Sequence, residues 1–169
     1  ASTTTAVLIT TAKTSSDSLK TFKKIVLYSL LGFILIQFIP VNKTNLPVDE
    51  KVSFITVEKT PKKIESMLKN ACYDCHSNET KYPKYASIAP ISWSIKSHVE
   101  EGREHMNFSV WKNYNSDLRK SMLEKSIQMI ENRTMPMPGY IVYHKEANLS
   151  PAERKVLSNY FAEVLKNIR

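Results

Sequence analysis

The sequence predicts an all-α protein, and three observations carry that prediction. Glycine occurs only at Gly32, Gly102 and Gly139 in 169 residues, which leaves few positions for the tight turns of an antiparallel sheet. Long stretches are rich in Lys, Glu, Leu, Met and Ile, residues that lose little entropy in a helix. Apolar side chains then recur at three- and four-residue spacing behind helix-start signals. The length suits one modest domain with appendages, and the chain divides into residues 1–18, 19–41, 42–60 and 61–169.

Residues 1–18 are rich in Ser and Thr, show no sustained period and read as a flexible N-terminal segment. Their lack of arginine argues against a transit peptide. Lys20, Lys23 and Lys24 then lead into IVLYSLLGFILIQFI, an uncharged run from Ile25 to Ile39. That pattern predicts a single transmembrane helix within 19–41, short for a full span unless its flanks and snorkelling lysines contribute. No A-x-A-like site follows Ile39, so the run reads as an uncleaved anchor rather than a signal peptide. The positive-inside rule would leave its lysines cytoplasmic and put residues 41–169 on the far side.

Pro40, Pro47 and the alternating VSFITVE make 42–60 a surface tether with one short strand or extended piece. Thr60-Pro61 reads as an N-cap followed by proline at the first helical position, with Ile64, Met67, Leu68 and Ala71 on one face. Residues 77–90 read as loop. Ile91, Ile95 and Val99 predict a helix to about Met106. Ser116 is expected to cap a helix running to Asn132, with Leu123, Ile127 and Ile130 on its buried face. Met135-Pro136-Met137-Pro138-Gly139 ends it. Ser150-Pro151-Ala152-Glu153 has capping-box spacing and opens a last helix with Val156, Tyr160, Val164 and Ile168 as its stripe.

A 42% hydrophobic and 24% charged composition excludes a disordered chain. The net charge of +8 raises the question of nucleic acid, but beyond residue 40 there are 20 basic and 15 acidic residues with signs interspersed. No Arg-rich run or nucleic-acid motif accompanies them, so no nucleic-acid partner is expected.

The two cysteines lie three apart, with histidine next: Cys72-Tyr73-Asp74-Cys75-His76. Two thiols at this spacing can form thioethers to the two vinyl groups of one haem, and the tether holds the following imidazole under the iron. Tyr73 and Asp74 serve as spacers in this reading. A thioredoxin-like dithiol would sit near a βαβ pattern, which is missing here, and a zinc site would want a second close pair, which His98 and His105 do not make. A disulfide would leave His76 without a role.

A six-coordinate haem also needs a distal ligand. Met67, Met106, Met122 and Met129 fall in helices and read as core filler. Met135 and Met137 sit in a proline-interrupted loop that can present a thioether, and Met135 is chosen with Met137 as the alternative. His98, His105 and His144 read as surface or hydrogen-bonded side chains, and Tyr82, Tyr85, Trp93 and Trp111 as packing around the porphyrin. Arg103 is matched either to a haem propionate or to a nearby glutamate.

Cys72-Tyr73-Asp74-Cys75-His76-Ser77-Asn78, Tyr82-Pro83, Ile88-Ala89-Pro90, Trp93, His98-Val99, Gly102-Arg103, Asn107-Phe108-Ser109, Trp111 and Met135-Pro136 together resemble the haem-binding domain family of bacterial membrane-anchored monohaem c-type cytochromes. The resemblance covers roughly residues 60–165. It implies one covalent haem c, a cytochrome-c-like helical fold, extracytoplasmic placement and a sixth ligand from the Met-Pro loop. The expected role is single-electron transfer, without catalysis, at the outer face of the bacterial cytoplasmic membrane. Respiratory-complex subunits or another redox protein would be the partners, with lipid bound by the N-terminal helix. Lys81, Lys84, Lys96 and Lys112 are candidate docking charges. A haem-based gas or redox sensor is the alternative, and a peroxidase finds no legible distal acid–base residue.

Overall fold

The computed structural model describes the backbone of residues 2–168 and the side chains of 18–168. Every regular element among them is helical, in accord with the all-α expectation. The helices are α1 (Ser2–Ile36), α2 (Phe54–Val57), α3 (Lys62–Ala71), α4 (Tyr73–His76), α5 (Ile91–His105), α6 (Ser116–Glu131), α7 (Pro138–Tyr143) and α8 (Pro151–Asn167). Short 3-10 turns lie at Glu50–Val52, Lys84–Ser87, Phe108–Asn113 and Lys145–Ala147. Two compact units result: residues up to Val41 with Tyr85–Trp93, and Asn42–Lys84 with Ser94–Arg169.

In the first unit α1 ends at Ile36, and the Gln37 side-chain amide pairs with both backbone groups of Ala89, donating to its oxygen and accepting from its nitrogen at 3.0 Å each. Leu27, Leu30, Leu31, Phe33 and Ile34 are all exposed. Among the described residues no helix is long and apolar enough to cross a membrane, so the spanning helix expected within 19–41 finds no support there. Lys20, Lys23 and Lys24 fall inside α1, and the helix stops before the apolar run does.

The second unit holds the main core, and Phe54 is its hub. Its ring meets Phe108, Trp111, Phe161 and Tyr160 edge-on at centroid distances of 5.2, 5.0, 5.9 and 6.3 Å. The VSFITVE segment is therefore neither strand nor surface tether. Ser53 accepts from the Thr56 amide and opens a helical turn that turns Phe54 fully inward. Thr60 is likewise not a cap: α3 starts with Pro61 at the cap position and no side-chain bond, while the Thr60 hydroxyl accepts from Tyr160 Oη at 2.9 Å. On α3, Ile64, Met67, Leu68 and Ala71 are buried as their spacing predicted.

α6 begins one residue from the expected cap, because Asn115 Oδ1 accepts from the Leu118 amide and leaves Ser116 inside the helix. α6 packs along α8, whose Ser150–Glu153 capping box is formed in both directions. The buried stripe of α8 is Leu157, Phe161 and Val164, continued by Ile168 just past its end; Val164 and Ile168 are buried as expected and Tyr160 is half-buried, but Val156 is exposed, so the expected face is off by one residue only in the first half of the helix. α7 had no counterpart in the sequence reading.

Candidate functional site

α3 ends at Cys72, whose amide closes the helix on Leu68 O, and the chain immediately makes the single turn α4. That turn brings Cys72, Cys75 and His76 onto one wall. Two adjoining cavities open there, of about 160 and 280 Å³. Cys72, His76, Ala71, His105, Met129 and Met135 line both. Cys75, Met137 and Tyr140 line the smaller, and Phe108, Met122 and Phe161 the larger. The residues chosen from the sequence, Cys72, Cys75, His76, Met135 and Met137, are thus gathered at one place.

The two spacer residues hold this wall. The Tyr73 ring is buried and stacks on Phe108 at 5.2 Å, and burial pushes its hydroxyl pKa well above the ordinary tyrosine value. Asp74 accepts from the Lys81 amide at 2.9 Å and from Tyr140 Oη at 2.7 Å. Ser77 Oγ donates back to Tyr73 O at 2.7 Å. The Asn107 side chain donates to Asn78 Oδ1 at 2.8 Å and accepts from the Ser109 amide at 2.9 Å, while Ser109 Oγ accepts from the Asn78 amide at 2.9 Å. All three of these residues are buried, so each bond satisfies a group that water does not reach.

Gly102 lets α5 lie against this segment. A Cβ there would stand 2.7 Å from Cys75 O, too close for any other residue without a backbone shift. A glycine in a helix interior sacrifices about 1 kcal/mol relative to alanine, so its presence in α5 marks the approach.

His76 Nδ1 lies 3.0 Å from Met106 O, which assigns the proton to Nδ1 and leaves Nε2 with its lone pair. Burial holds the imidazole pKa below the ordinary histidine range, with the Met106 and Gly102 carbonyls opposing. A neutral ring with one nitrogen fixed by a carbonyl is the form that binds a metal.

Burial also raises both thiol pKa values, Cys72 to about 12 and Cys75 to about 11; the neighbouring Cys75 adds to the first, Asp74 adds to the second and Arg103 opposes it. A redox dithiol needs the reverse shift. The cysteines are not bonded to each other. Among the described residues no group of three His, Cys, Asp or Glu side chains is placed to hold a metal ion. The lining sulfurs and nitrogens include two thiols, one neutral imidazole and the thioethers of Met106, Met122, Met129, Met135 and Met137, between largely apolar walls. This set fits a haem attached through sulfur.

Several auxiliary expectations are corrected. Arg103 donates not to a glutamate but to Ser77 O at 2.8 Å, Asn45 Oδ1 at 2.8 Å and Thr80 Oγ1 at 2.9 Å, bracing the loop after the motif. Trp111 is a core residue whose indole donates to Glu58, and neither it nor Tyr82 lines the two cavities. Tyr85 and Trp93 belong to the first unit. The aromatic walls are Tyr140, Phe108 and Phe161 instead. Met67, Met106 and Met122 are buried as expected, although Met106 and Met122 also line the larger cavity, and Met129 reaches both cavities. His98 and His105 are exposed and line the smaller cavity; His144 stacks on Tyr140 at 4.1 Å. Met106 O had no signal of its own, because a backbone acceptor carries no residue signature, and the pairing of Tyr140 Oη with Asp74 arises only from tertiary packing.

A family model described as a haem-binding domain matches residues 31–163. No curated protein and no solved structure matches the chain.

Proposed function

The chain belongs to the haem-binding domain family, and on that premise we propose that it is a monohaem c-type cytochrome that carries single electrons and catalyses no reaction of its own. The observation that carries this reading is His76 Nδ1 on Met106 O beside both motif thiols and Met135 at one apolar-walled site.

In this proposal Cys72 and Cys75 would hold the group through thioethers, and His76 Nε2 and Met135 Sδ would be its two iron ligands, with Met137 as the competing sulfur. Bound haem supplies a one-electron iron couple, at a potential that a thioether ligand raises relative to harder donors. The chain's own residues fix the couple's surroundings. Met106 O sets the tautomer and orientation of His76, and the buried Asn78–Asn107–Ser109 bonds keep α4 in place. Phe108, Phe161 and Met122 would offer the group apolar surface in the larger cavity. Little has to rearrange when charge changes in such a setting.

The proposal includes attachment to the bacterial cytoplasmic membrane through 19–41, with the haem domain on the periplasmic side and respiratory-complex subunits or another redox protein as partner. Its support is the exposed apolar surface of α1, behind lysines suited to anionic headgroups. Tethering would keep the carrier near its partner.

The test is a pyridine haemochrome spectrum of the matured protein, followed by carbon monoxide on the reduced form. A c-type spectrum that carbon monoxide leaves unchanged supports an electron carrier. Rapid complex formation would favour the gas sensor, and a colourless protein would remove the proposal.

A further inference from the structure

Arg154 follows the Ser150 cap on α8 by four residues and is half-buried. Its guanidinium spends its donors on three main-chain carbonyls from separate stretches. Nε donates to Leu149 O at 3.2 Å, and Nη1 donates to Ile130 O at 3.1 Å and to Met135 O at 2.6 Å. The entry to α8, the last turns of α6 and the methionine loop thus meet on one side chain. A planar guanidinium with five N–H groups can serve such a set, whereas an ammonium on a single flexible stem cannot match its geometry.

The same loop is bound from its other side. Met129 O accepts from the Thr134 amide at 3.0 Å, from the Thr134 hydroxyl at 3.0 Å and from the Met135 amide at 3.2 Å. Both main-chain polar groups of Met135 are therefore occupied, the N–H by α6 and the C=O by α8. Met137 differs, since its carbonyl accepts from the Tyr140 and Ile141 amides and belongs to the first turn of α7. Of the two loop methionines, only Met135 is clamped from both sides by elements outside the loop.

We propose that Arg154 is the positioning residue for the distal ligand: by clamping the Met135 carbonyl it holds that thioether at the cavity, and so selects Met135 over Met137 and Met129. This rests on the haem reading above. Arg154 itself lines neither cavity; it acts through the main chain of two residues that do, Ile130 and Met135.

The test uses the matured haem protein with Arg154→Gln, Arg154→Lys, Met135→Ala and, as a control, the exposed Lys155→Gln. Three readouts separate positioning from general stability: the far-red methionine–iron band of the ferric form, imidazole affinity and amide exchange at Met135. Loss of charge-assisted bonds should open the loop about tenfold more often. Arg154→Gln should weaken the band, tighten imidazole binding about tenfold and speed exchange at Met135 by a similar factor. Arg154→Lys should fall between it and the unchanged protein, and Lys155→Gln should match the latter. If Arg154→Gln does not fold, Arg154→Lys decides on the same readouts. A full band and imidazole affinity within about twofold of the unchanged protein, even with a lower melting temperature, would reduce Arg154 to structural support. Should Met135→Ala retain the band, the ligand assignment fails as well; should only Met135→Ala lose it, the clamp alone is overturned.

Discussion

The segment that carries His76 and the loop that carries Met135 reach the same pair of cavities, yet they are held by different means. Around His76 the bonds are side chain to side chain and side chain to main chain among buried residues: Asn78, Asn107, Ser109 and Ser77. Around Met135 they run to main-chain carbonyls at the half-exposed junction of α6 and α8, and one arginine supplies three of them. Buried, mutually satisfied polar groups are expensive to disturb, whereas bonds near solvent have water as a substitute. One side is therefore built to be fixed and the other to be selected among several methionine sulfurs.

The largest expected effect removes the fixed side outright. Replacing Cys72 and Cys75 by alanine together should abolish covalently retained haem, read by haem staining after denaturing electrophoresis; full staining would contradict the asymmetry at its root.

Asn107→Ala strips a donor from Asn78 and an acceptor from the Ser109 amide, both in dry surroundings. It should lower stability by about 2–3 kcal/mol in a urea titration. Gly102→Ala forces a methyl group against the Cys75 carbonyl and should lower stability by about 1–3 kcal/mol, through overpacking rather than a lost bond.

The selected side should give way with little loss of fold. Met135→Ala should lose the far-red methionine–iron band and admit carbon monoxide to the reduced protein, whereas Met137→Ala should retain the band. The reverse pattern would move the ligand two residues along the loop.

The smallest effect lies at the start of α8, which carries Arg154. Ser150→Ala should lower stability by about 1 kcal/mol. The hydroxyl and amide of Ser150 hold the Glu153 carboxyl below the usual carboxylate range, so that contribution is present above the ordinary carboxylate pKa and is lost as pH falls through the depressed one. Glu153→Gln should flatten the acid limb of a melting-temperature profile, and an unchanged limb would show the box to be idle.

The same contrast explains what could be read from the chain. The fixed side announces itself because thioether attachment demands two thiols and an imidazole at set spacing, and Cys72, Cys75 and His76 are contiguous in sequence. Met135 was legible only as a thioether in a proline-broken loop, since its partners Met129, Ile130, Leu149 and Arg154 assemble through tertiary packing. Helix positions followed from periodicity, but Val156 was assigned inward because a stripe shifted by one residue satisfies nearly the same spacing. Phe54 was missed for the opposite reason: an alternating pattern suggested a strand, and a single Ser53 cap with an aromatic core to enter overrode it. The family resemblance named Gly102, Asn107 and Ser109, but only the close packing of α5 and the buried bonds give them their physical roles.

The most direct test of the haem reading is the intact mass of the matured protein under denaturing conditions. One haem retained on the polypeptide is the result expected from thioethers at Cys72 and Cys75. A mass equal to the bare chain, with both thiols open to alkylation, would contradict it.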